Sequence, residues 1–288
     1  MEYLFENAGL LAGVSLWLGL LVGSFLNVVI YRLPKTLDRK WKIECRDYLE
    51  LEPDPQLLKE KLSIAWPGSQ CPKCKSNIRP WHNIPVIGFL LLKGKCADCG
   101  TSIGLRYPIV ELLTGILSVL VVWKFGATYE SLLALGFTWC LIALAGIDLD
   151  TKLLPDNITL PLLWAGLIVN FFDTFTTFSS AFWGAVAGYM ILWVVFWGFK
   201  LLTGKEGMGY GDFKLLAALG AWLGWPALPM IILISSVVGL AVAVLMMVFM
   251  SHDRRVPIAF GPYLAIAGWI AFLFGEQVQQ MFPIFSIV

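Results

Sequence analysis

Histidine is almost absent from this chain: its 288 residues include two, His82 and His252. Two isolated imidazoles cannot make a recurring metal site by themselves, and neither is given a role. Charge is scarce as well, at 14% Asp, Glu, Lys and Arg against 58% hydrophobic residues, with a mean hydropathy of +0.75. That balance excludes an ordinary soluble domain and points to a polytopic membrane protein. There is no G-x-x-x-x-G-K-S/T loop, and no G-x-G-x-x-G where a soluble dinucleotide fold needs one. A basic leader is missing too. The N-terminus carries Glu2 and Glu6, so a cleaved secretory signal is not expected and the first apolar run reads as a retained span. No internal repeat is visible, and no nucleic-acid partner is expected.

What the chain does have is apolar runs. Eight read as spans, at about 8–30, 107–123, 131–147, 158–172, 180–201, 213–225, 228–250 and 258–275. Several are near or below the roughly 17 residues a span needs, and the run at 213–225, ending at Trp225-Pro226, is the weakest. Orientation follows from the basic residues. Residues 32–106 hold 14 of the 21 Lys and Arg, which places that segment in the cytoplasm. Alternating breaks then put Lys152, Lys200, Lys205, Lys214, Arg254 and Arg255 at the inner face, leaving only Lys124 outside. The expected fold is therefore an all-α polytopic membrane protein with both termini outside. It has three parts: a first span (1–31), a cytoplasmic module (32–106) and a membrane domain (107–288). Within the module, 44–65 reads as a solvated connector with a partial helix near 56–64.

The module carries its own chemistry. Of six cysteines, four form Cys71-Pro72-Lys73-Cys74 and Cys96-Ala97-Asp98-Cys99. Two such knuckles match a tetrahedral four-thiolate zinc site, with Gly94 and Gly100 placed as the turns require. A reducing cytoplasm argues against disulfides. A closed four-cysteine site is structural, so the zinc has no catalytic role. Cys45 and Cys140 read as ordinary side chains.

Two acids stand out. Asp148 ends the third span and Asp212 begins the sixth, so the topology places both at the cytoplasmic boundary. A single such acid reads as an interfacial helix cap. Two that can meet suggest an aspartyl-protease dyad, in which one proton is shared, one carboxyl is the base on water and the other is the acid. Asp150 and Asp156 compete with Asp148 as the partner of Asp212. Asp150 would point elsewhere if the helix continues, and Asp156, between Pro155 and Asn157, reads as the N-cap of the fourth span. Gly207, Gly209 and Gly211 beside Asp212 allow an open, extended backbone that could accept a substrate strand, or simply a flexible turn.

Taken together, these motifs resemble the bacterial prepilin peptidases, the type IV leader peptidase family. The resemblance runs through Gly23-Ser24-Phe25-Leu26-Asn27, Tyr31-Arg32-Leu33-Pro34, the paired Cys-x-x-Cys module and Arg106-Tyr107-Pro108-Ile109-Val110-Glu111-Leu112. It continues through Asp148-Leu149-Asp150, Gly209-Tyr210-Gly211-Asp212 and Pro257-Ile258-Ala259-Phe260-Gly261-Pro262-Tyr263, with Ala259 where many members have proline. It implies that Asp148 and Asp212 are the dyad. It also implies cleavage of the basic leader of type IV prepilins and pseudopilins at the cytoplasmic face of the inner membrane, and N-methylation of the new N-terminus from S-adenosylmethionine. The methyl-transfer residues are not placed; the cytoplasmic module and the Gly23–Asn27 segment are the candidate regions. Two alternatives stand beside this reading: a presenilin-like intramembrane protease, and a transporter or scaffold whose acids bind cations and whose zinc ribbon docks a partner.

Overall fold

The computed structural model describes residues 8–52, 54, 55, 57, 62–205, 207–249 and 259–281. Glu2 and Glu6, most of the expected helix at 56–64, His252, Arg254, Arg255 and Pro257-Ile258 lie outside the described residues. Among those described, the longer elements are all helices: α1 (Ala8–Tyr48), α2 (Ile87–Leu91), α3 (Arg106–Phe125), α4 (Tyr129–Thr151), α5 (Asp156–Asn170), α6 (Phe178–Thr203), α7 (Tyr210–Leu223), α8 (Leu228–Phe249) and α9 (Gly261–Met281). Each expected span falls on one of these helices. Five are long and apolar enough to cross a membrane: α1, α3, α4, α6 and the stretch Trp225–Val248 that contains α8. At 15 and 14 residues, α5 and α7 are shorter than a full crossing needs.

The chain divides into two compact units, Met1–Trp139 and Cys140–Val288, with the boundary inside α4. In the first, α1 packs on α3 through small residues. A Cβ at Gly19 would stand 2.7 Å from the Gly115 Cα, and one at Gly23 would stand 2.7 Å from the Glu111 Cα. Small residues spaced four apart let two helix backbones approach this closely in a membrane. α1 does not end at residue 31. It runs 41 residues through Pro34 to Tyr48, about twice the length a crossing needs. Its extension holds the connector through arginines seven residues apart, on one helix face. The Arg32 guanidinium donates to the carbonyls of Ser63, Ile64, Pro67 and Gly68. Arg39 donates to Leu57 and Arg46 to Glu52.

In the second unit, α7 is the central element, with buried residues throughout its length. Gly188 of α6 lies against the α7 backbone, where a Cβ would be 2.6 Å from the Leu216 carbonyl oxygen. Asn170, at the end of α5, donates to the carbonyls of Ala221 and Trp222 and accepts from the N–H groups of Phe175 and Thr176. The Trp222 Nε1–H donates to the Leu162 carbonyl at 2.8 Å. Every polar atom of this buried amide is satisfied, which fixes where α7 ends.

Candidate active site and metal centre

Asp148 lies in the last turn of α4 and Asp212 in the first turn of α7, 5% and 8% exposed. They are close enough for the charge on Asp148 to act on Asp212. Two buried carboxylates whose charges act on each other cannot both ionise cheaply. Asp150, two residues on, is exposed, as a continuing helix dictates. Asp156 is the first residue of α5 rather than its N-cap, which is Pro155. Its carboxylate takes the Lys214 ammonium on both oxygens, at 2.7 and 2.8 Å.

The aspartates are held by features that motif reading missed. The backbone N–H of Gly261, at the start of α9, donates to Asp148 Oδ2 at 3.0 Å. A Cβ there would lie 2.7 Å from that oxygen, so only glycine brings the donor so close. Leu154, in the loop after α4, lies against both Gly211 and Gly261, where added Cβ atoms would stand 2.7 Å from its Cβ and 3.2 Å from its Cδ1. Gly211 therefore serves packing inside α7. The open backbone expected at the three glycines is confined to the exposed Gly207 and Gly209, which precede the helix. Phe213 is fully buried against Phe196, Tyr210 and Tyr189, with ring centroids 5.3–5.8 Å apart, and sets the rotation of the first turn of α7. Gly261 sits in a motif already visible in the sequence. The Lys214–Asp156 pair had no comparable signal, because it joins residues 58 apart.

The four cysteines of the module come together. The Sγ atoms of Cys71, Cys74, Cys96 and Cys99 lie within 4.8 Å of one another, and Cys71 and Cys99 are 3.8 Å apart. Zn–S bonds of about 2.3 Å in a tetrahedron put sulfurs about 3.8 Å apart, so this donor set fits zinc. The two knuckles repeat each other. The Lys75 N–H donates to Cys71 O and the Cys71 N–H to Ser76 O, while the Gly100 N–H donates to Cys96 O and the Cys96 N–H to Thr101 O. The residue after each second cysteine has positive φ, 61° at Lys75 and 68° at Gly100. Sequence reading placed Gly100 but not its counterpart, nor the hydroxyls beside the sulfurs. Ser76 Oγ is 3.0 Å from Cys74 Sγ, and Thr101 Oγ1 is 3.3 Å from Cys99 Sγ. The Ser76 hydroxyl lowers the Cys74 thiol below its ordinary value, and the Thr101 hydroxyl and N–H lower Cys99 to about 6. Both favour the thiolate that a metal needs.

The chain is similar in sequence to known proteins. Residues 17–125 match the bacterial peptidase A24 N-terminal domain and residues 135–244 the type IV leader peptidase family. A protein of Pseudomonas aeruginosa named prepilin leader peptidase/N-methyltransferase is 52% identical over 286 residues, covering 99% of this chain and 98% of its own. Proteins of the same name from Neisseria gonorrhoeae and Dichelobacter nodosus are 51% and 48% identical, covering 91% and 92% of this chain and 90% and 92% of their own. No solved structure matches the chain. With its dyad candidates, its paired knuckles and its full-length relatives, the chain belongs to the type IV leader peptidase family.

Proposed function

We propose that this protein is a multi-pass inner-membrane enzyme that cleaves the basic leader of type IV prepilins and pseudopilins at the cytoplasmic face, then N-methylates the new N-terminus. The observation that carries the proteolytic half is the pair of buried carboxylates, Asp148 and Asp212, brought together from the end of one helix and the start of another. The full-length relatives named for both activities support the reading. In it, water sits between the carboxyls. The ionised one removes a proton from water while the protonated one donates to the scissile carbonyl, with no covalent enzyme intermediate. Gly261 orients Asp148 through its N–H, and the exposed backbone at Gly207–Gly209 receives the substrate strand. The eight-span topology and the division 1–31, 32–106 and 107–288 belong to the same reading. Cys71, Cys74, Cys96 and Cys99 would hold one zinc ion that shapes the cytoplasmic module and takes no part in hydrolysis. S-adenosylmethionine would supply the methyl group. The test is to incubate the detergent-solubilised enzyme with a purified prepilin and follow the products by mass spectrometry. Loss of the leader, with a further gain of one methyl when the donor is added, is expected. An uncut prepilin would reject the reading.

A further inference from the structure

Glu111 is a buried carboxylate that hydrolysis does not use. It lies in the second turn of α3 and is 8% exposed. Its Oε2 accepts the Val86 N–H at 2.8 Å, and Ser24 of α1 lies beside the same carboxyl group. Among the described residues no ion pair involves it. A buried carboxylate without a cation is costly, and either a proton or a positively charged ligand relieves it. One turn away, the buried Asn27 Nδ2 donates to the Tyr107 carbonyl at 3.1 Å, fixing α1 beside this point. Gly23 lets α1 approach there, as its close fit against the Glu111 Cα shows.

A second observation concerns the backbone that bonds this carboxylate. Val86 has φ 60° and ψ −48°, a conformation that a β-branched residue rarely adopts. Strain of this kind persists only where the surroundings enforce it, and it gathers at ligand sites. Here it turns the Val86 N–H toward Glu111 while the following residue, Ile87, stays exposed. Val86 also leads into α2, which precedes the second cysteine knuckle.

We propose that Glu111, with Ser24 and the Val86 N–H, is the site that receives the free α-amino group of the cleaved pilin for methylation. The proposal rests on the functional reading above. A new N-terminus arrives as an ammonium ion, the cation this carboxylate lacks. Glu111 takes one of its protons and frees the nitrogen lone pair. The nitrogen bonds the methyl carbon, the carbon–sulfur bond of the sulfonium donor breaks, and sulfur keeps that electron pair. The product leaves as a secondary ammonium, and Glu111 passes its proton to solvent. The donor set, an anion with no cation, suits a step that joins a cationic donor to an amine.

The experiment uses the full-length enzyme in detergent without methyl donor. It measures binding of a pre-cut pilin peptide with a free amine and of its N-acetylated twin. The wild type should bind the free amine about 10-fold more tightly, as one charge-assisted contact implies. Glu111→Gln should bind the two alike, cleave prepilin at the wild-type rate, and methylate at least about 100-fold more slowly when the donor is added. A Glu111→Gln enzyme that keeps both the amine preference and methylation overturns the proposal. So does one that loses cleavage and methylation together, because that marks a strut rather than a site. If Glu111→Gln does not accumulate, Ser24→Ala should lower the amine preference several-fold with cleavage intact, and an unchanged preference overturns the proposal. A wild type that leaves prepilin uncut overturns the functional reading and this proposal with it. A wild type that performs both reactions beside an indifferent Glu111→Gln overturns this site alone.

Discussion

Replacing Gly261 with alanine perturbs the dyad by a single methyl group. The added Cβ would start 2.7 Å from Asp148 Oδ2 and 3.2 Å from Leu154 Cδ1. A relaxed carbon–oxygen contact is about half an ångström longer than the first of these, so the Asp148 carboxylate or α9 must retreat by roughly that much. The N–H···Oδ2 bond, now 3.0 Å, lengthens or breaks. A hydrogen bond to a charged group contributes about 1.5–3 kcal/mol, and a displacement of about 1 Å at a reacting group costs on the order of 100-fold. Together these predict a fall in kcat for prepilin cleavage of about 10- to 100-fold, equivalent to about 1.4–2.8 kcal/mol. KM should change little, because the substrate groove is untouched. The assay is initial-rate cleavage by detergent-solubilised Gly261→Ala, with thermal unfolding measured alongside. Cleavage within about twofold of wild type, in a protein of unchanged stability, would refute the positioning role of this N–H.

Other predictions follow from the same geometry. The Asp156–Lys214 pair is partly exposed, and such pairs contribute about 1 kcal/mol or less, so Asp156→Asn should slow cleavage by no more than about fivefold; complete loss would mean Asp156 belongs to the dyad. The purified protein should contain about one zinc per chain, lost when Cys71, Cys74, Cys96 and Cys99 are all changed to serine, by elemental analysis. The Cys74 and Cys99 thiols are lowered and Cys71 is raised, and protons compete with the metal for all four thiolates, so zinc content should hold near neutral pH and fall on acidification; zinc content that rises on acidification would contradict this. Asp212→Asn should still transfer a labelled methyl group to a pre-cut pilin peptide at the wild-type rate, and loss of transfer in a folded protein would give the acids a part in both reactions.

Much of this molecule was legible in its residues because apolar runs and short-range spacings are local signals. The paired Cys-x-x-Cys spacing pointed to the cluster that forms. The direction of Asp148 against Asp150 follows from helix periodicity alone. The limits were equally physical. The first span reads as ending near residue 31, yet its helix continues through Pro34 to Tyr48, and Arg32, Arg39 and Arg46 on that extension donate to backbone carbonyls of the following segment that no sequence pattern marks. The three glycines before Asp212 look alike in sequence, but Gly211 answers to Leu154, 57 positions away, while Gly207 and Gly209 stay exposed. Glu111 reads as one residue of a motif; its burial and its bond to Val86 appear only when α1, α3 and the loop before α2 come together.

The central claim is that Asp148 and Asp212 are the catalytic dyad, and single-residue substitution tests it most directly. Asp148→Asn and Asp212→Asn keep the side-chain volume and remove one titratable group each. Purified side by side with the wild type and given the same prepilin, each should insert normally, keep its zinc and produce no cleaved pilin above background, because neither remaining carboxyl can act as both base and acid. Cleavage by either variant at a rate near wild type would contradict the account and remove that aspartate from the reaction.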